Sequence, residues 1–178
     1  MIPDFIEIPG AKRKVLPPGR YGATLDEIQK RFVPDEDSNR QAIFTNLCGF
    51  ARAFEELTGS LLEIWIGGSF ITSENHPHDV DAAFLFRTAT ENFNDLPVDQ
   101  QEALRNLCQF GKQCASVHAF PLAVPRTGIE DEPIWYMKNR GYWDQLWSKC
   151  RMADLPGNVK APPVPYPLSG YLVVSIDG

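Results

Sequence analysis

Three observations predict an α/β fold, a small mixed β-sheet flanked by α-helices. A stretch with apolar residues every three or four positions, from Ser38 to Gly59, runs straight into a short apolar run, Leu61 to Ile66. That run turns at Gly67-Gly68 and returns as a second apolar run, Asp79 to Phe86. A further helical stretch then leads into a third run, Ser116 to Phe120. Helix, strand, turn, strand, helix, strand is an order in which apolar helix stripes cover the faces of a sheet.

The elements follow in order. Residues 1 to 20 contain Pro3, Pro9, Pro17 and Pro18, which limit regular structure, and Leu16 to Gly19 reads as an extended segment ending in a turn. Lys12, Arg13, Lys14 and Arg20 cluster there and read as a solvated face. Thr24 to Ile28 suits a short helix with Thr24 as N-cap and Glu27 completing a capping box, its inner face lined by Leu25, Ile28 and Phe32. After an acidic break, Pro34 to Asp37, Ser38 is expected to cap the clearest helix, with Gln41 three residues on and Gly59 as its stop. Ile43, Leu47, Phe50, Phe54 and Leu57 form its apolar stripe.

Arg87 to Pro97 is polar and reads as a loop. Pro97 can open a helix whose apolar side holds Leu104, Leu107 and Cys108 and which Gly111 would end. Beyond Pro121 the chain turns rich in proline and aromatics. Ile134, Trp135, Tyr136, Tyr142, Trp143, Leu146 and Trp147 suggest one or two short helices, more a core or interface cluster than a base-stacking platform. Ala161 to Pro167 holds four prolines and is expected to be extended; Gly170 to Ile176 reads as a final strand at a sheet edge. The organisation expected is a single domain over 1–178: an N-terminal extension (1–37), a core (38–120) and a C-terminal part (121–178) packed on it.

Composition sets the class. With 178 residues, 43% of them apolar and 22% charged, the chain can bury a substantial core in one domain. It contains no long apolar run and its start lacks the pattern of a signal peptide, so no membrane association and a cytoplasmic location are expected. Cys48, Cys108, Cys114 and Cys150 show no CxxC spacing, which argues against a zinc ribbon or redox pair. A net charge of −6 argues against a broad nucleic-acid surface, and no DNA partner is expected.

The chemistry is concentrated between Gly67 and Asp81. Gly67 and Gly68 allow a sharp turn and close approach to a ligand, and Ser69 adds a hydroxyl beside freed backbone donors. On a strand, Asp79 and Asp81 project from one face, roughly 7 Å apart at their Cα atoms. Two carboxylates so placed repel unless a cation lies between them or one takes a proton. Magnesium binds such pairs together with substrate phosphate oxygens.

Gly68-Ser69, nine intervening residues, then Asp79-Val80-Asp81 resembles the nucleotidyltransferase signature of the DNA polymerase β superfamily. The longer pattern, Ile66 to Phe70 with Pro77 and Asp79-Val80-Asp81, is similar to small prokaryotic proteins of that fold. The resemblance implies a minimal nucleotidyltransferase fold, with Asp79 and Asp81 holding Mg2+, or Mn2+ in its place. Gly67, Gly68 and Ser69 would bind a nucleoside triphosphate. The activity implied is transfer of a nucleoside monophosphate to a hydroxyl of a protein or an RNA, the acidic charge favouring protein. A toxin–antitoxin or phage-defence setting is implied loosely.

One part of the pattern is missing. Active members carry a third carboxylate on the next core strand, and here the position falls at or near His118, with no Asp or Glu between Glu102 and Glu130. Three explanations are open. His118 takes the place of the carboxylate as ligand or base; Glu130, Asp131 or Glu132 reaches back from the following loop; or catalysis is lost and a nucleotide- or partner-binding module remains. His76 and His78, flanking Pro77, also admit a zinc or manganese site with Asp79 or Asp81, and with it a metal-dependent hydrolase.

Overall fold

The first two helices each begin where a side chain closes the first turn. The computed structural model describes residues 1–88, 93–125, 132–150, 152–153 and 168–176, the side chains of Asp95, Pro125 and residues 132–136 excepted. In chain order the elements are β1 (Gly19–Gly22), α1 (Leu25–Phe32), α2 (Ser38–Thr58), β2 (Leu61–Gly67), β3 (Val80–Thr88), α3 (Val98–Cys114), β4 (Val117–Pro125), α4 (Glu132–Trp147) and β5 (Gly170–Ser175). Short 3-10 turns lie at Ser69–Ile71 and Phe93–Asp95.

Thr24 and Glu27 form the expected capping box on α1. On α2 the cap is Asp37 and not Ser38: the Asp37 carboxylate accepts from the Arg40 amide at 3.0 Å. A charged acceptor suits the positive end of a helix better than a hydroxyl, so Ser38 becomes the first helical residue. Gly59 closes α2 at φ 71. Gly111 does not end α3, which runs on to Cys114. The glycine serves packing instead, since a Cβ there would lie 2.7 Å from the Phe50 ring and 2.8 Å from the Val117 carbonyl.

The strands form one mixed sheet in the order β1-β5-β2-β3-β4. β2 pairs antiparallel with both β3 and β5, while β1–β5 and β3–β4 are parallel. The last strand therefore lies inside the sheet, not at its edge. The segment Leu16 to Gly19, expected to end in a turn, instead leads into Gly19 to Gly22, the edge strand that covers it. Gly170 makes this pairing possible, because a side chain there would meet the Pro17 and Gly19 carbonyls. All three stretches of the chain thus feed the sheet: 1–37 supplies β1, 38–120 supplies β2, β3 and the start of β4, and 121–178 supplies β5.

Helices α2 and α3 pack on one face. Phe50 and Phe54 of α2 sit 5.0 Å from Phe84, ring centre to ring centre, and Phe54 meets Phe86 edge-on at 5.4 Å. The other face carries Trp65 and Tyr171, with Trp147 of α4 against Tyr171 at 5.4 Å and Trp143 against Phe120 at 4.8 Å. The large apolar residues expected to cluster here thus divide where they are described: Trp143 and Trp147 are core, whereas Tyr142 and Leu146 are exposed. Covered on both faces, Ala82 to Phe86 are buried without interruption. The cysteines are free thiols; Cys48 and Cys108 are half-buried, and burial pushes the Cys108 thiol up to about 11. Among the described residues no helix is long and apolar enough to cross a membrane. The extended segment expected at 161–167 lies outside the described residues.

Candidate functional site

β2 ends where β3 begins, and their register fixes the site. Gly67 of β2 pairs with Asp81 of β3, which pairs in turn with His118 of β4. Period-2 alternation sends Asp81 and His118 to one face while Val80, Ala82 and Phe84 enter the core on the other. Asp79 stands immediately before β3. Asp79, Asp81 and His118 each offer one ligand atom, all within 4.8 Å of one another, and all three residues are half-buried. His118 Nδ1 lies 3.1 Å from Asp81 Oδ1.

Electrostatics strains this arrangement. Burial, and then the neighbouring Asp79 charge, raise the Asp81 carboxyl above its ordinary range, while His118 acts in the opposite direction. A cation between the carboxylates would relieve that repulsion. Two carboxylates and an imidazole suit magnesium through the oxygens and manganese or zinc through the nitrogen. His76 and His78 do not join the group. Both are exposed, and among the described residues Asp79, Asp81 and His118 are the one set of three that could share an ion. Glu130 and Asp131 lie outside the described residues, as does the side chain of Glu132.

The glycine-serine turn has a definite shape. Gly68 stands at φ 75, ψ −163, a conformation open essentially to glycine alone, and leads into the 3-10 turn of Ser69–Ile71. The space of a Gly68 side chain is occupied by the Asp81 carboxylate. The space of a Gly67 side chain is occupied by the Trp147 indole, whose Cγ would lie 2.5 Å from a Cβ placed there. Gly67 therefore seats a core ring, while Gly68 and Ser69 line a cavity of about 710 Å³. Ser69 Oγ has no hydrogen-bond partner among the described residues. Asp79, Asp81, His118 and Trp147 line the same cavity.

Two arginines complete the surroundings, and sequence reasoning passed over their roles. Arg40, buried in the first turn of α2, donates to the carbonyls of Phe32, Phe70, Thr72 and Glu74. Asn39 beside it donates to the Pro77 carbonyl at 2.8 Å. Arg13 belongs to no solvated face: its side chain is 15% exposed, pairs with Glu74 at 2.6 Å and lines the cavity. Of its neighbours Lys14 does face solvent, paired with Glu7 at 3.8 Å, and Arg20 is paired with Asp144 at 3.9 Å.

Residues 8–161 match a family described as a family of unknown function, DUF6932. The chain belongs to this family. Searches among curated proteins and among solved structures give no match. The family's description names no activity.

Proposed function

We propose that this member of the family is a metal-dependent nucleotidyltransferase of the polymerase β type, moving a nucleoside monophosphate from a nucleoside triphosphate to a hydroxyl of a protein or RNA. The observation that carries the reading is the convergence of Asp79, Asp81 and His118 on one cavity wall with the Gly68-Ser69 turn. Asp79 and Asp81 would hold the divalent cation, which supplies charge neutralisation at the triphosphate and activates the acceptor hydroxyl. Ser69 Oγ and the backbone around Gly68 hold the β- and γ-phosphates. The acceptor oxygen attacks the α-phosphorus; the new O–P bond forms as the bond to the β-phosphate oxygen breaks, and pyrophosphate leaves. With Nδ1–H donated to Asp81 Oδ1, His118 keeps a lone pair on Nε2 that takes the acceptor proton.

One observation favours a second reading, a module that binds nucleotide without turnover: the position beside Asp81 on β4 holds an imidazole where the superfamily places a carboxylate. Incubation with labelled ATP, CTP, GTP and UTP, magnesium or manganese, and a cell extract separates the two. Label on a protein or RNA with wild type, and none with Asp79→Ala/Asp81→Ala, is the result expected of a transferase. Binding of a nucleotide with no label transferred supports the module. Neither binding nor transfer from a folded sample removes both readings.

A further inference from the structure

The cavity that holds the two aspartates also holds cations that the mechanism above leaves idle. Arg13 Nε is buried with no hydrogen-bond partner, and the guanidinium's ion pair is with Glu74. Lys149 is exposed on the same cavity wall, with no ion-pair partner among the described residues. In a chain of net charge −6, two cations line this cavity beside three carboxylates, Glu74, Asp79 and Asp81, and only Glu74 is paired with one of them.

Neither position is left to chance. Lys14 N donates to Ser73 Oγ at 2.8 Å and Ser73 N to the Lys14 carbonyl at 3.0 Å, fixing Arg13 beside the loop of Glu74. On the other side, Ser148 accepts from the Leu168 and Ser169 amides at 2.8 and 2.9 Å, anchoring the residue before Lys149. The two segments are themselves joined: Ala11 bridges Met152, and Ala153 N donates to the Gly10 carbonyl at 2.7 Å.

We propose that Arg13 and Lys149 form an anion subsite of this cavity, recognising the terminal phosphates of a polyphosphate tail. The inference rests on the nucleotide reading above and extends it to residues outside the glycine-serine and aspartate motif. A ligand that satisfies the whole wall carries anionic oxygens along its length: some for a cation held by the aspartates, some for the guanidinium and ammonium groups. Glu74 opposes such a ligand. Its carboxylate already neutralises much of Arg13, so Lys149 carries the net positive charge.

The test uses the full chain and inorganic tripolyphosphate in metal-free buffer, with affinity read by calorimetry, followed by each nucleoside triphosphate with magnesium. Lys149 is exposed, so Lys149→Gln leaves the fold intact. The expected result is tripolyphosphate binding weakened about tenfold by Lys149→Gln, the loss of one charge-assisted contact, and tightened by Glu74→Gln, which frees Arg13. A merely structural role for either residue would not produce opposite signs. No binding of tripolyphosphate, or equal binding by wild type and both variants, overturns the subsite. Nucleotide binding that requires Asp81 but ignores Lys149 and Glu74 also overturns it while keeping the nucleotide reading. Tripolyphosphate binding that answers to Lys149, with no nucleoside triphosphate bound more tightly, keeps the subsite and removes the nucleotide reading.

Discussion

Asp81 is a residue held against its own preference. Its carboxylate lies in the space that glycine leaves at position 68, beside Asp79, half out of water and hydrogen-bonded to His118. Its folded-state pKa is raised, first by burial and then by Asp79. The folded chain therefore binds that proton more tightly than the unfolded chain, so stability falls as pH rises from the unfolded value of about 3.9 through the folded one. Above that window the penalty is fully present. Asp81→Asn keeps an acceptor for His118 and removes the charge, so in EDTA at pH 7.5 it is expected to melt about 2–4 °C higher than wild type, what roughly 1 kcal/mol gives a domain of this size. Near pH 4 the two midpoints should converge. Magnesium or manganese should raise the wild-type midpoint and leave that of Asp81→Asn unmoved. A variant that melts lower than wild type at pH 7.5 without metal would show that the carboxylate is there for stability.

At the scale of elements, the first turn of α2 brackets the loop between β2 and β3. Arg40 donates to three carbonyls of that loop, those of Phe70, Thr72 and Glu74, and Asn39 takes a fourth at Pro77. Arg40→Met fills similar volume but leaves buried carbonyls unpaired, at about 1–3 kcal/mol for each group left without water or partner. We expect a loss of about 3 kcal/mol in denaturant unfolding, and hydrogen exchange that speeds up at the amides of Thr72 to Glu74 before that of the sheet. Uniform faster exchange would mean that Arg40 supports the core and not the loop. None of this was legible in the sequence. Arg40 reads as an ordinary polar residue near a helix start, since its acceptors lie 8 to 34 residues away along the chain. What depends on neighbours in sequence was legible: the capping box of α1, the Gly59 stop, the apolar stripe of α2, and the strand–turn–strand carrying Gly68, Ser69, Asp79 and Asp81. What depends on partners far along the chain was not. Gly111 looked like a helix stop because its packing against Phe50 is invisible locally. The strand Gly19 to Gly22 was not foreseen because a four-residue strand with a glycine at each end has no apolar period to announce it. Arg13 could have been found only through Glu74, 61 positions on, with which it pairs.

For the whole molecule, the decisive feature is that the last strand is a central one. β5 lies between β1 and β2, so Gly170 pairs with Gly19 and Val174 with Ile64. Pairings across so much of the chain carry a large loop-closure cost and favour late, cooperative completion of the sheet. Without β5, β1 has no neighbour and β2 becomes an edge, exposing unpaired backbone of the kind that invites aggregation. Tyr171 and Leu172, both buried, would be missing from opposite faces of the sheet. A chain ending at residue 167 is therefore expected to lose its near-ultraviolet circular dichroism and its cooperative melt, although it keeps Asp79, Asp81, His118 and the whole glycine-serine loop. A synthetic peptide of residues 168–178 should restore both signals when added during refolding. If the shortened chain melted cooperatively near the full-length midpoint, the sheet would be closing without its fifth strand, and the cavity's floor at Ser169 and Gly170 would have to be an addition to a core that folds alone.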